Sequence, residues 1–144
     1  MSPIIEQGLK PGYDGAEVQL IRGSYDFAVQ GGAISTIGLI GATPILNGWV
    51  IVSGYVDVIT PLTSGGAATI AAQVEAANDV LTAVAVASWT AGRKNILPGY
   101  APGALTASSL IKTTAARDIS IVIATAALTA GKFSIILHVV QPLV

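Results

Sequence analysis

Hydrophobic and polar residues alternate along much of this chain. From Val50 to Thr60 the even positions are Val50, Val52, Val56 and Val58, interrupted by Gly54. The odd positions, counted from Trp49, are Trp49, Ile51, Ser53, Tyr55, Asp57 and Ile59. A β-branched row with period two marks a strand with one face in a core. The mixed odd row suits an interface or a half-covered surface, and Gly54 suits a bulge or bend. Thr63-Ser64-Gly65-Gly66 then makes a turn, and Thr69 to Glu75 returns with Ile70, Ala72 and Val74 on one face, which predicts a hairpin. Ile119, Ile121 and Ile123 mark another strand over 118–125. Phe133, Ile135, Leu137 and Val139 mark the next, over 133–140, and the connection through Gly131-Lys132 predicts a second hairpin.

Upstream, two short strands are expected on either side of Gly23, around Val18–Leu20 and Tyr25–Val29, with another over Ile37–Ile40. Pro44 and Asn47-Gly48 punctuate the approach to the long strand. Ala76 to Ala87 has no clean apolar stripe and predicts a loop with at most one helical turn, for which Asn78-Asp79 supplies a cap. Ala91 to Ser109, rich in Gly, Pro, Ala and Ser, predicts a long surface loop. The expected fold is all-β, an antiparallel β-sandwich, for which a jelly roll is one common solution. Residues 1–15, with Pro3, Gly8, Pro11 and Gly12, are expected to form an extended N-terminal arm, and 16–144 a single β-sandwich domain.

Composition changes this picture in one respect. Only 10% of the residues are charged, against about 25% in an average protein. Mean hydropathy is +0.70, yet no run of about 18 apolar residues is present to span a bilayer as a helix. The first fifteen residues have neither the basic nor the apolar region of a signal peptide. So few charges suit a surface partly covered in an assembly; the alternative is that abundant Ala and Gly raise the hydropathy without forming apolar patches. Seven Lys and Arg balance eight Asp and Glu, and they are scattered, so neither nucleic acid nor a membrane is expected as a partner. The chain has no cysteine, which excludes disulfides and thiolate metal sites.

Catalytic equipment is hard to find. Gly131-Lys132 invites comparison with a phosphate-binding loop, but Ala126 stands where the first Gly is needed and Phe133 where Ser or Thr is needed. A strand follows in place of a helix, so no helix N-terminus is there to hold phosphate. His138 is the only histidine, with no sequence neighbour set to orient it, and one His without Cys makes a zinc site remote. The carboxylates are spread along the chain without a calcium-loop pattern, and Arg117-Asp118 reads as an edge or turn pair. No enzyme, metal site or cofactor is therefore expected. The candidate interface is the odd row: Trp49, Ile51, Tyr55 and Ile59.

The stretches NGWVIVSGYVDVITPLTSGGAATIAAQVEAANDVL (47–81) and DISIVIATAALTAGKFSIILHVV (118–140) carry a resemblance. They are similar to tailed-bacteriophage virion proteins, small β-sandwich proteins of the capsid decoration, or cement, type and their head- or tail-surface relatives. The resemblance implies a virion location on the capsid surface, the major capsid protein as partner, and self-association as a homo-oligomer, commonly a homotrimer. Its alternative is a tail or head-fibre module that binds a host-surface receptor or glycan.

Overall fold

The computed structural model describes residues 18–96 and 110–141. The expected arm, 1–15, and most of the expected loop, 97–109, lie outside the described residues. The elements are β1 (Val18–Asp26), a one-turn helix α1 (Phe27–Gln30), β2 (Ser35–Gly38), β3 (Val50–Ser64), β4 (Thr69–Gln73) and β5 (Leu81–Ala85). A 3-10 turn (Val86–Ser88) leads to β6 (Gly92–Asn95), β7 (Ile111–Lys112), β8 (Ser120–Ala124) and β9 (Leu128–Val140). One sheet has the order β1-β9-β3-β6, with β7 also paired to β3, and the other β2-β8-β4-β5; all pairings are antiparallel. The molecule is the all-β sandwich that the alternation predicts.

Its core lies between the sheets. From sheet one come Ile21, Tyr25, Val56, Val58, Phe133, Ile135, Leu137 and Val139, and from sheet two Ile70, Ala72, Ile121 and Ile123. Phe133 is the aromatic centre, with ring centroids 5.2 Å from Tyr25 and 4.9 Å from Trp89. The Tyr25 hydroxyl donates to the carbonyl of Gly31 at 2.7 Å. Burial, reinforced by the neighbouring Asp26 carboxylate, pushes its pKa up and keeps that donor proton in place.

The connections depart from expectation. Both predicted hairpins are crossings between sheets: β3 lies in sheet one and β4 in sheet two, and β8 lies in sheet two and β9 in sheet one. The hairpin among the described strands is β4–β5, in the segment expected to be a loop. Its turn is held by Asp79, whose carboxylate accepts from the backbone N–H groups of Val74, Glu75 and Ala76 at 2.8–3.0 Å. Asn78 takes a positive φ of 58° there, which its short polar side chain tolerates. Turn residues report that the chain reverses, and the same residues serve a hairpin or a crossing.

Two other expectations are corrected. The strands around Gly23 are one continuous strand, β1, and Gly23 leaves room for Leu39, whose Cβ would lie 2.7 Å from an added side chain. Phe27 and Val29 are helical because Asp26 caps the Ala28 N–H at 3.0 Å and Gly31, at φ 71°, ends the turn. Gly131-Lys132 lies within β9, where the pairing with β3 shifts register, and Gly131 has φ 138° with Leu62 packed against it.

Candidate interaction surfaces

Residues directly opposite each other in paired strands share a face, so the register defines each outer surface. On sheet one the outer rows run Leu20–His138–Ser53, Arg22–Ile136–Tyr55–Asn95 and Ser24–Ser134–Asp57–Arg93. Leu20 is 64% exposed and Val18, at the end of the same strand, 58%, while Ile136 is nearly buried beneath its neighbours. Tyr55 and His138 are half-buried with ring centroids 6.3 Å apart. Polar groups tie the rest of the face together. Ser24 and Ser134 share a 2.9 Å hydrogen bond, and Lys132 lies 3.5 Å from the Asp26 carboxylate.

The four expected interface residues do not form one group. Tyr55 follows the outward register, opposite Ile136, whereas Ile59 is the unpaired residue between the Val58–Phe133 and Thr60–Lys132 pairs and is 54% exposed. Ile51 is corrected to a core residue: it is fully buried opposite Val139. The pairing steps from His138–Ser53 to Val139–Ile51, so β3 carries an extra residue at Val52. This bulge reverses which parity faces inward, and it falls two residues before the Gly54 that suggested it. Accordingly, Val56 and Val58 are buried while Val50 and Val52 are only half-buried. Trp49 stands at a corner, half-buried against the core, where its backbone N–H and C=O are engaged by Thr113. Val18, Leu20, Ile136 and His138 were not among the expected residues. The alternation of Val18 and Leu20 marked a strand, and only its pairing with β9 shows which surface they join.

Sheet two presents a different outer face. Its rows are Thr36–Val122–Ala71, Gly38–Ser120–Gln73 and Ala124–Thr69–Ala85. None of these residues is charged, and none of the four strands contains a charged residue. The chain carries no charge at all from Phe27 to Val56, a segment that contains the exposed apolar residues Val29, Ile34, Ile40 and Leu46.

Among the described residues, groups capable of chemistry are engaged elsewhere or isolated. Arg117 pairs with Glu75, 42 residues away, through Nε to Oε1 at 2.9 Å and Nη2 to Oε2 at 3.1 Å. Thr114 adds its backbone N–H and hydroxyl to the same carboxylate. The Arg117 hydrogen bonds, followed by those from Thr114, lower the Glu75 pKa from 4.5 to about 2. The expected turn pair of Arg117 with Asp118 is thus replaced by a bidentate clamp across the fold. His138 Nδ1 is buried without a hydrogen-bond partner, so no acid orients its ring. A cleft of about 540 Å³ opens beside Asn78, Asp79, Thr82 and Asn95, and the one carboxylate in its lining is already committed to the β4–β5 turn. Among the described residues no three His, Asp or Glu side chains gather to hold a metal ion, and no helix is long and apolar enough to cross a membrane.

No family model and no curated protein matches the chain. Among solved structures the fold is that of proteins found in phage capsids. A chain of the cyanophage Pam1 capsid asymmetric unit superimposes with a TM-score of 0.62 at 18% identity, covering 96% of this chain and 95% of that one. A chain of the acid-stable capsid of Helicobacter pylori bacteriophage KHP30 superimposes with a TM-score of 0.58 at 10% identity, covering 88% and 89%.

Proposed function

We propose that this chain is a non-enzymatic structural protein of a phage virion, which binds the outer surface of the capsid as a homo-oligomer and stabilises it. The observation that carries this reading is the superposition, over nearly the full length of both chains, on a component of a phage capsid asymmetric unit. The strand order supports it. With β7 set aside, the first, eighth, third and sixth strands form one sheet and the second, seventh, fourth and fifth the other, the wrapping of a jelly roll, a fold common in viral capsids. The outer face of sheet one offers exposed Leu20 and half-buried Tyr55 beside the charged Arg22 and Asp57, over the buried Ile136. An apolar centre with polar edges is the usual anatomy of a protein interface.

A cementing protein works by contact. It binds the assembled shell and not the dissociated subunits, so binding shifts the equilibrium toward the shell. Several weak contacts on one oligomer add to tight attachment, because each bound copy raises the effective concentration of the next. The major capsid protein is the proposed partner, with residues 1–15 as a docking arm.

The test compares purified shells with and without saturating protein for heat-induced rupture. Coated shells are expected to rupture at a higher temperature, and deletion of 1–15 to weaken attachment. Equal rupture temperatures at confirmed saturation reject cementing. Absence of shell binding together with binding to host cells points to a receptor-binding fibre module.

A further inference from the structure

We propose that the open edge of β2 pairs with the same strand of a second copy of this chain, antiparallel and centred on Thr36. Each sheet edge exposes backbone groups that invite another strand, and folded proteins blunt such edges with charge, bulges or cover. The other edge strands among the described residues are blunted, the two-residue β7 beside β3 by Lys112. β1 exchanges both backbone bonds with Ile40 at Ser24, at 3.0 and 2.7 Å, and carries Arg22 and Asp26. β6 carries Arg93 and Lys94. On β5 the pairing advances from Ile70–Val84 to Ala72–Leu81, three residues against two, which is a bulge.

Within β2 there is neither charge nor bulge, and its cover is limited to the Gln30 side chain at Gly38. Its register with β8 is straight from Ser35–Ile123 to Gly38–Ser120, and it contains neither charge nor proline. Leu39 donates to Ile119 on the β8 side, whereas Ile40 turns its N–H and C=O the other way, to Ser24. By the alternation of an antiparallel strand, Thr36 and Gly38 point their backbone groups away from β8 as Ile40 does. The Gly38 carbonyl accepts from the Gln30 side-chain amide at 2.7 Å, which leaves Thr36 at the centre of the open edge. Ile34, 58% exposed, flanks it.

The occupant follows from charge and symmetry. A two-fold contact sets a surface against its own copy, so any charge near the axis meets a like charge across it. A segment without charge from Phe27 to Val56 escapes that repulsion, where the Arg93-Lys94 edge does not. An antiparallel pair centred on Thr36 is self-complementary, each Thr36 giving its N–H to the other's carbonyl. The inference concerns the isolated chain and does not depend on the capsid reading.

Light scattering on the isolated protein at micromolar concentration tests it, without shells. The mass is expected to be an even multiple of the 14.5 kDa chain, and to halve in Thr36→Pro and in Ile34→Lys. Proline at Thr36 removes an N–H that faces outward, so the fold is expected to survive. Should either variant unfold by circular dichroism, exchange of the Thr36 amide in the unaltered protein decides: it slows as concentration rises if the edges pair. A monomer, an odd multiple such as a trimer, an unchanged mass in folded variants, or concentration-independent exchange overturns the proposal.

Discussion

Sheet one is built from long strands of 9, 15 and 13 residues flanked by short ones, and its strands hold Arg22, Asp26, Asp57, Arg93, Lys94, Lys112 and Lys132. Sheet two is built from strands of four or five residues and holds no charge. Both sheets contribute buried residues to the shared core, sheet two through β4 and β8, and the difference in charge lies outside it. Water can solvate the charged outer face of sheet one directly, whereas that of sheet two offers little beyond backbone, hydroxyl and amide groups. The low overall charge of the chain is thus concentrated in one sheet and one segment.

The largest effect expected on this comparison comes from the core that both sheets share. Phe133→Ala removes the ring between Tyr25 and Trp89 and is expected to cost about 3–5 kcal/mol, read from urea unfolding. A loss below 1 kcal/mol would mean that the aromatic centre does not hold the sheets together. Next comes the Glu75–Arg117 clamp at the end of β4. The Glu75 pKa falls on folding, from 4.5 to about 2, so its stabilisation is present above pH 4.5 and is lost as pH drops toward 2. Glu75→Gln is expected to lower the urea midpoint at pH 7 and to leave it unchanged below pH 2. An equal deficit at both values would assign the effect to packing. The smallest effect belongs to the outer charges of sheet one. Lys132→Ala loses an exposed pair with Asp26 and is expected to cost about 0–1 kcal/mol, because water screens such pairs. It is also expected to leave shell binding intact, whereas a phosphate-binding role for Lys132 would make that change disabling.

The alternation of Val56, Val58, Ile70, Ala72, Ile121, Ile123, Phe133, Ile135, Leu137 and Val139 determined by itself that this is a β-sandwich and which residues fill it. A strand with one buried face must alternate, and that constraint is local. The failed phosphate-loop pattern around Lys132 was legible for the same reason, since it rests on neighbours in the chain. Which strand pairs with which was not legible. The turn at 63–66 carries ordinary turn residues, whereas the crossing at 125–127 is Thr-Ala-Ala with Thr125 at φ 73°, and only the partners available in three dimensions decide whether the chain comes back beside itself or crosses to the other sheet. The face of Ile51 depended on a bulge at Val52, set by pairing with β9 more than eighty positions later in the chain. The clamp between Glu75 and Arg117, and the grouping of Leu20 with Tyr55 and His138, likewise exist because distant strands share one register. The composition established that charge is scarce; only tertiary structure decided that sheet two would go without it.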